Sequence, residues 1–325
     1  MQQKILPLIR FLSDGKFHSG ESIASLIGIS RTAVWKKVQK CVELGVEIES
    51  VKGKGYRIVT PFDLLESHLI INGLSDAAVE QFQLIDVFEE IGSTNRYALD
   101  YVDKNGKTPY LCFAEYQTGG RGRRGRDWHS PLGNIAFSLV WSFEQGASAT
   151  EGLSLLIGLA LARALEQEGV LGVQLKWPND VLLNQAKLAG ILLEMKGDPQ
   201  GLCHIVIGVG INIAVQTDTE VIDQAFVSVF DVKPNMSRNQ FCAQLLNQLA
   251  AMLPVFSVQG FAPFKEQWAQ YDAYANQPVS LSAGERYQQG MARGINEKGA
   301  LLLQDELGLH EIYAGELSLR PLNDS

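Results

Sequence analysis

Gly119-Gly120-Arg121-Gly122-Arg123-Arg124-Gly125-Arg126, running into Asp127-Trp128-His129-Ser130-Pro131, is the stretch on which the fold turns. Residues 120–125 spell G-x-G-x-x-G, the fingerprint of a dinucleotide-binding βαβ unit. That reading needs a helix opening on the last glycine, early in the chain. Asp127 to Pro131 cannot begin such a helix, and the motif comes too late. A doubly wound parallel sheet is therefore set aside. A glycine loop carrying four arginines remains. Glycines let backbone N–H groups approach an anion, and guanidinium groups offer bidentate contacts to carboxylate or phosphate. Composition alone equally allows a solvated loop or a nucleic-acid contact.

Outward from the loop, strand and helix patterns alternate. Segments 82–88, 110–116, 134–143, 173–176, 181–183, 188–195 and 205–210 read as strands. Helices are expected at 95–102, 153–165, 241–253 and 264–271. In 134–143, Ile135, Phe137, Leu139 and Trp141 alternate with Ala136, Ser138 and Val140. The expectation is an α+β core, a mixed sheet with helices on one face. No apolar run reaches the roughly 18 to 20 residues of a membrane span, so no membrane association is expected.

The first 60 residues carry a net charge of +5 and the remainder −13, within an overall −8. That asymmetry asks for a boundary near residue 60. Ser19 and Ser30 precede helical segments, and Gly28 supplies the turn between them. The second of these helices, 31–44, turns Ala33, Val34, Val38, Cys41 and Val42 inward. Segments 46–50 and 56–59 form a hairpin around Gly53-Lys54-Gly55. Together they read as a winged helix-turn-helix. Its candidate DNA contacts are Ser30, Arg31, Thr32, Lys36 and Lys37 on the recognition helix, with Lys52 and Lys54 on the wing. A protein-interaction domain with a solvated basic face is the alternative. Thr60-Pro61-Phe62-Asp63 reads as a linker, and Leu64-Leu65 opens a new helix.

Cys41, Cys112, Cys203 and Cys242 are scattered, with no zinc spacing, and read as buried, inert thiols of a cytoplasmic protein. Four further motifs are each ambiguous alone. Gly92-Ser93-Thr94-Asn95 suits a helix cap, and Lys176-Trp177-Pro178-Asn179-Asp180 contains an ordinary turn. Lys187-Leu188-Ala189-Gly190-Ile191-Leu192 is a lysine opening an apolar strand, and Gly208-Val209-Gly210-Ile211-Asn212 suits a bend or a close ligand approach.

Taken in order, with Glu115-Tyr116-Gln117 leading into the arginine loop, these motifs resemble the biotin protein ligase family, in the form that carries a winged DNA-binding head. The resemblance runs from about Phe17 to Leu319. It implies that biotin and ATP give biotinyl-5′-AMP and pyrophosphate, magnesium riding with the ATP phosphates. The acyl group then passes to a lysine of the biotin carboxyl carrier protein of acetyl-CoA carboxylase. It also implies that biotinyl-5′-AMP favours a homodimer that represses the biotin-synthesis operator.

By the same resemblance, Arg121, Arg123 and Lys187 are catalytic, screening the anions that meet at the α-phosphate. Biotin would meet Ser93, Thr94, Asn95 and Gln117, together with Gly122 and those three cations. Trp128, Asn179, Asp180 and Asn212 match nucleotide-side positions, with the same cations. Phe226 is the best match for an aromatic that covers the adenine. Short strands at 278–281, 287–295, 300–303, 309–313 and 317–319, separated by turns at Ala283-Gly284, 297–299 and 306–308, resemble the family's small SH3-like C-terminal β barrel. The expected domains are 1–62, 64–271 and 272–325. Two rivals stand beside this reading: a lipoate–protein ligase on the same architecture, and a non-catalytic metabolite-sensing transcription factor.

Overall fold

A computed structural model describes residues 5–214, 225–234, 236–283, 286–313 and 317–322. Gly284, in one expected turn, lies outside them. The head has α1 (Leu6–Leu12), α2 (Gly20–Ile27), α3 (Arg31–Glu43) and a hairpin of β1 (Ile48–Val51) with β2 (Gly55–Ile58). The Ser19 and Ser30 hydroxyls accept from Ser22 N and Ala33 N, capping α2 and α3. Gly28 ends α2 at φ 67°, a conformation glycine adopts without steric cost. Val34, Val38 and Cys41 face inward as expected, whereas Val42 is 48% exposed. Position 42 falls one residue past the buried stripe of a 3.6-residue period.

The expected linker is not loose. Phe62, Leu64 and Leu65 are each 5% exposed, and the helix that follows, α4 (Ser67–Asn72), starts only at Ser67. Leu64 and Leu65 lie outside any helix and are buried in one core continuous from head to body. Asp63 accepts from Arg238 N (2.9 Å), Ser237 Oγ (2.9 Å) and Asn239 Nδ2 (2.8 Å), which pins the chain onto the body.

After α5 (Asp76–Gln81) the body is built on one sheet. Its strands are β3 (Ile85–Phe88), β4 (Tyr110–Ala114), β5 (Ile135–Phe143), β6 (Val173–Lys176), β7 (Asp180–Leu183), β8 (Ala186–Gly197) and β9 (Cys203–Ile211). They lie in the order β3-β4-β5-β9-β8-β7-β6, with β3 parallel to β4 and the other pairs antiparallel. Helix α6 (Thr94–Asn105) lies on one face, where Ala98 and Val102 pack on Tyr110, Cys112, Val140 and Val206. The opposite face, with Phe137, Leu139 and Ile207, carries α7 (Leu153–Gln167) and α8 (Arg238–Gln259). Helices therefore cover both faces, not one. The alternation along β5 marks two different cores rather than core and solvent, because Ala136, Ser138 and Val140 are buried as well.

Segment 147–167 and α8 are long and apolar enough to cross a membrane, contrary to the expectation from apolar runs. Both are mostly buried and pack on each other, as core helices do. Helix α9 (Lys265–Ala269) leads to the tail, a five-stranded antiparallel sheet in the order β13-β12-β11-β10-β14. Its strands are β10 (Pro278–Ala283), β11 (Arg286–Ile295), β12 (Leu301–Asp305), β13 (Gly308–Ile312) and β14 (Ser318–Pro321). The register slips between Ala292 and Ile295, around Gly294 at φ 82°, which bends the sheet. Edge strands β13 and β14 are not paired with each other among the described residues.

Candidate functional site

One cavity of about 920 Å³ is lined by residues from all five motifs, and Glu115, two residues before the wall residue Gln117, ties that wall to the framework through Arg238. Its floor is the α6 face of β8 and β9, where Gly190 and Gly210 are direct cross-strand partners. A Cβ on Gly210 would lie 2.3 Å from the Trp128 indole, and one on Gly190 3.1 Å from it. The two glycines are thus the seat of Trp128, a use that their spacing in sequence left open.

At one end stands the first turn of α6. Ser93 is its N-cap residue, but its hydroxyl makes no capping bond and lines the cavity. Thr94 N (2.8 Å) and Oγ1 (3.2 Å) donate to Gln117 Oε1, and Gln117 Nε2 donates to Ser130 Oγ at 2.8 Å. The Gln117 amide is thereby locked. Asn95 Nδ2 donates to Glu194 at 2.7 Å while its Oδ1 accepts from Ser138 Oγ at 2.6 Å.

At the other end, Lys187 Nζ lies 2.8 Å from Asp180 Oδ1 and 5.4 Å from the Trp128 ring centroid. Arg123 donates to Asn179 Oδ1 (2.7 Å) and to Leu317 O (3.1 Å). Asn212 Nδ2 donates to the Lys187 carbonyl at 3.2 Å, so its side chain braces that strand while lining the cavity. Phe226 bridges to Lys187, with Lys187 N donating to Ala225 O at 2.9 Å. It lines the same end. Strand β14 closes this side, so the tail contributes to the cavity wall.

Arg121 is not brought to Lys187. Its guanidinium donates to Glu194 Oε1 at 3.0 Å. Glu194 stands four residues beyond Gly190 on β8, roughly 13 Å at strand rise. Arg121 therefore belongs to the Asn95 end, and Arg123 and Lys187 to the other. Gly122 is held by its N–H to Arg126 O at 2.7 Å.

Sequence reasoning missed Glu194 and Arg238. Glu194 is the lone acid in the otherwise apolar run Leu188–Met195, a signal that was available. Arg238 opens the long apolar α8 and is 0% exposed. It donates to Glu115 Oε2 at 3.0 Å and to Asn134 O at 2.9 Å. Burial pushes the Glu115 carboxyl up, and the Arg238 guanidinium opposes that. This buried pair joins the linker, the strand leading to Gln117 and the start of β5.

The DNA-contact candidates sit apart from the cavity, in the head. Arg31, Thr32, Lys36, Lys52 and Lys54 are exposed and Lys37 half-buried, while the Ser30 hydroxyl serves as a helix cap. The four cysteines are free and buried, and burial pushes the Cys41 and Cys112 thiols up to about 12.

The chain is 40% identical to the bifunctional ligase/repressor BirA of Escherichia coli (strain K12), over 97% of each chain. It belongs to the biotin protein ligase family. The model described as the biotin/lipoate A/B protein ligase family matches residues 87–212. An HTH domain matches 3–57, and the biotin protein ligase C terminal domain matches 274–320. The biotin–[acetyl-CoA-carboxylase] ligase of Paracoccus denitrificans is 34% identical, over 69% of this family member and 96% of that protein. Among solved structures, the biotin protein ligase from Aquifex aeolicus in complex with biotin and ATP superposes with TM-score 0.65 at 29% identity. It covers 74% of this chain and 100% of that one.

Proposed function

We propose that this chain is an ATP-dependent biotin–protein ligase that also represses transcription through its head. The observation that carries the reading is the single cavity with two chemically distinct ends, joined across Trp128. The Ser93–Thr94–Gln117 end presents a fixed set of neutral hydrogen-bonding groups, suited to the ureido ring of biotin. The Lys187–Arg123 end presents cations beside Asn179, Asp180 and the Phe226 ring, suited to the phosphates and base of a nucleotide. A carboxylate held between them faces the α-phosphate of MgATP. Lys187 offsets the charge as the new acyl–phosphate bond forms and pyrophosphate leaves. Magnesium enters as the counter-ion of ATP. In the second step the amine of a carrier-protein lysine attacks the acyl carbon and AMP departs. The loop over the cavity shields the mixed anhydride from water meanwhile.

We assign the work to three units. Residues 1–62 bind operator DNA, 64–271 carry out the chemistry, and 272–325 complete the nucleotide wall. The partners are the carrier domain of acetyl-CoA carboxylase, the operator of biotin-synthesis genes and a second copy of the chain. All of these meet ATP in the cytoplasm. The test is exchange of labelled pyrophosphate into ATP, with biotin and lipoate in parallel. Biotin-driven exchange is expected, and exchange driven by lipoate alone would overturn the assignment. A protein inactive with both acids would favour the metabolite-sensing alternative.

A further inference from the structure

Glu194 lies outside every motif that led to the cavity, yet two cavity residues converge on it. Its side chain is 25% exposed in the middle of an apolar strand. Oε2 accepts from Asn95 Nδ2 at 2.7 Å, and Oε1 accepts from Arg121 at 3.0 Å. An ionised carboxylate only accepts hydrogen bonds, so Asn95 must present its NH2 to Glu194. Its carbonyl oxygen is then left to the buried hydroxyl of Ser138. The Asn95 amide sits directly over Gly208, where a Cβ would lie 2.1 Å from Oδ1, so a glycine there is what leaves it this place. One carboxylate thus ties three elements together: the first turn of α6, the middle of β8 and the base of the glycine–arginine loop.

We infer that Glu194 is a positioning residue that latches this loop over the acid-binding end of the cavity, acting through Arg121. The inference rests on the reading that this end takes biotin. The Arg121 side chain is 47% exposed, and an ion pair so wetted is weak. A ligand that fills the space below excludes water, and the same pair then strengthens in a lower dielectric. The latch therefore closes most firmly over an occupied site. Arg121 also neutralises a carboxylate that would otherwise repel an acidic substrate. The nucleotide end, held by Asn179, Asp180 and Lys187, does not depend on this pair.

The experiment uses the full chain and measures pyrophosphate exchange, with KM for biotin and KM for ATP determined separately. The variants are E194Q, E194D, R121M and the E194Q/R121M double variant. E194Q keeps size and an oxygen for Asn95 but removes the charge that holds Arg121. It should raise the biotin KM roughly five- to tenfold, the scale of one partly exposed charge-assisted contact. The ATP KM should stay within about twofold of wild type on the same scale. E194D keeps the charge at shorter reach and should fall between, carrying the test if E194Q does not fold. The double variant should be no worse than the poorer single variant, because both changes break one contact. An unchanged biotin KM in E194Q, equal rises in both KM values, or additive losses would each overturn the latch. Wild-type protein inert toward biotin would overturn the reading beneath it and the latch with it. An active wild type with an indifferent E194Q overturns the latch alone.

Discussion

Lys187 is the cation of the nucleotide end that lies against Trp128, where the two ends of the cavity meet. Its side chain is 21% exposed, paired with Asp180 and lying over the Trp128 ring. Both neighbours fix where it points. An ammonium so placed can stabilise charge that develops on the α-phosphate oxygens and on the departing groups. Lys187→Ala is therefore expected to slow adenylation roughly 100-fold or more, while leaving the fold intact. Single-turnover formation of the adenylate measures this. Near-normal adenylation would reduce Lys187 to a structural lysine.

The junction of linker, sheet and α8 depends on Arg238. Both Arg238 and Glu115 are essentially buried, and their paired atoms lie 3.0 Å apart. Breaking such a pair strands the remaining charge, at a cost of about 3–5 kcal/mol. Urea unfolding of Arg238→Met should show a loss of that order at neutral pH. The deficit should narrow in acid, because a stranded Glu115 is relieved by protonation. Asp63 behaves in the opposite sense. Burial raises its pKa, but the N–H groups of Arg238 and Asn239 and the guanidinium more than offset this and hold it below the usual carboxylate range. Its folded pKa is depressed, so its contribution is present above about pH 4 and lost as pH falls through the lower folded value. Asp63→Asn should cost about 2 kcal/mol at pH 7, and the gap from wild type should close below pH 4. A gap that stayed constant down to pH 3 would remove Asp63 from the account.

At the scale of the molecule, head and body share a continuous core. Leu132 N donates to Leu44 O at 3.4 Å, and Arg10 pairs with Glu66 across the junction. Deleting residues 1–62 should abolish operator binding and leave biotin-dependent exchange measurable, because the cavity lining begins at Ser93. It should also lower the thermal midpoint, since the truncation uncovers the apolar surface that Phe62 and the head now bury. Specific operator binding by the truncated chain would refute the assignment of the head. The remaining expectation concerns assembly. A loop that closes over biotinyl-5′-AMP has its ordering tied to the ligand, and a subunit interface near that loop would be favoured by it. Two winged heads then match a two-fold operator. Whatever the adenylate contributes to dimerisation, dimerisation returns to adenylate affinity. Sedimentation at several protein concentrations should show mostly monomer with ATP alone and a larger dimer fraction with biotin plus ATP. An unchanged equilibrium would end the corepressor mechanism and leave the ligase standing.

The winged head, the succession of strands and helices and the order of the motifs were all legible in the sequence, because each rests on local rules. Serine caps, a glycine at positive φ, the 3.6-residue stripe and the strand runs act over a few residues. The family resemblance drew on the same short segments. What those rules could not supply is which distant segments meet. Arg121 and Glu194 are 73 positions apart, and Arg238 and Glu115 are 123 apart. No periodicity links them, so the latch, the buried junction and the division of the loop arginines between two ends of the cavity appear only when β8, β9 and α8 are packed. The burial of the linker and the helices on both faces have the same cause. A strand pattern records that a face is covered, and only the tertiary structure decides what covers it.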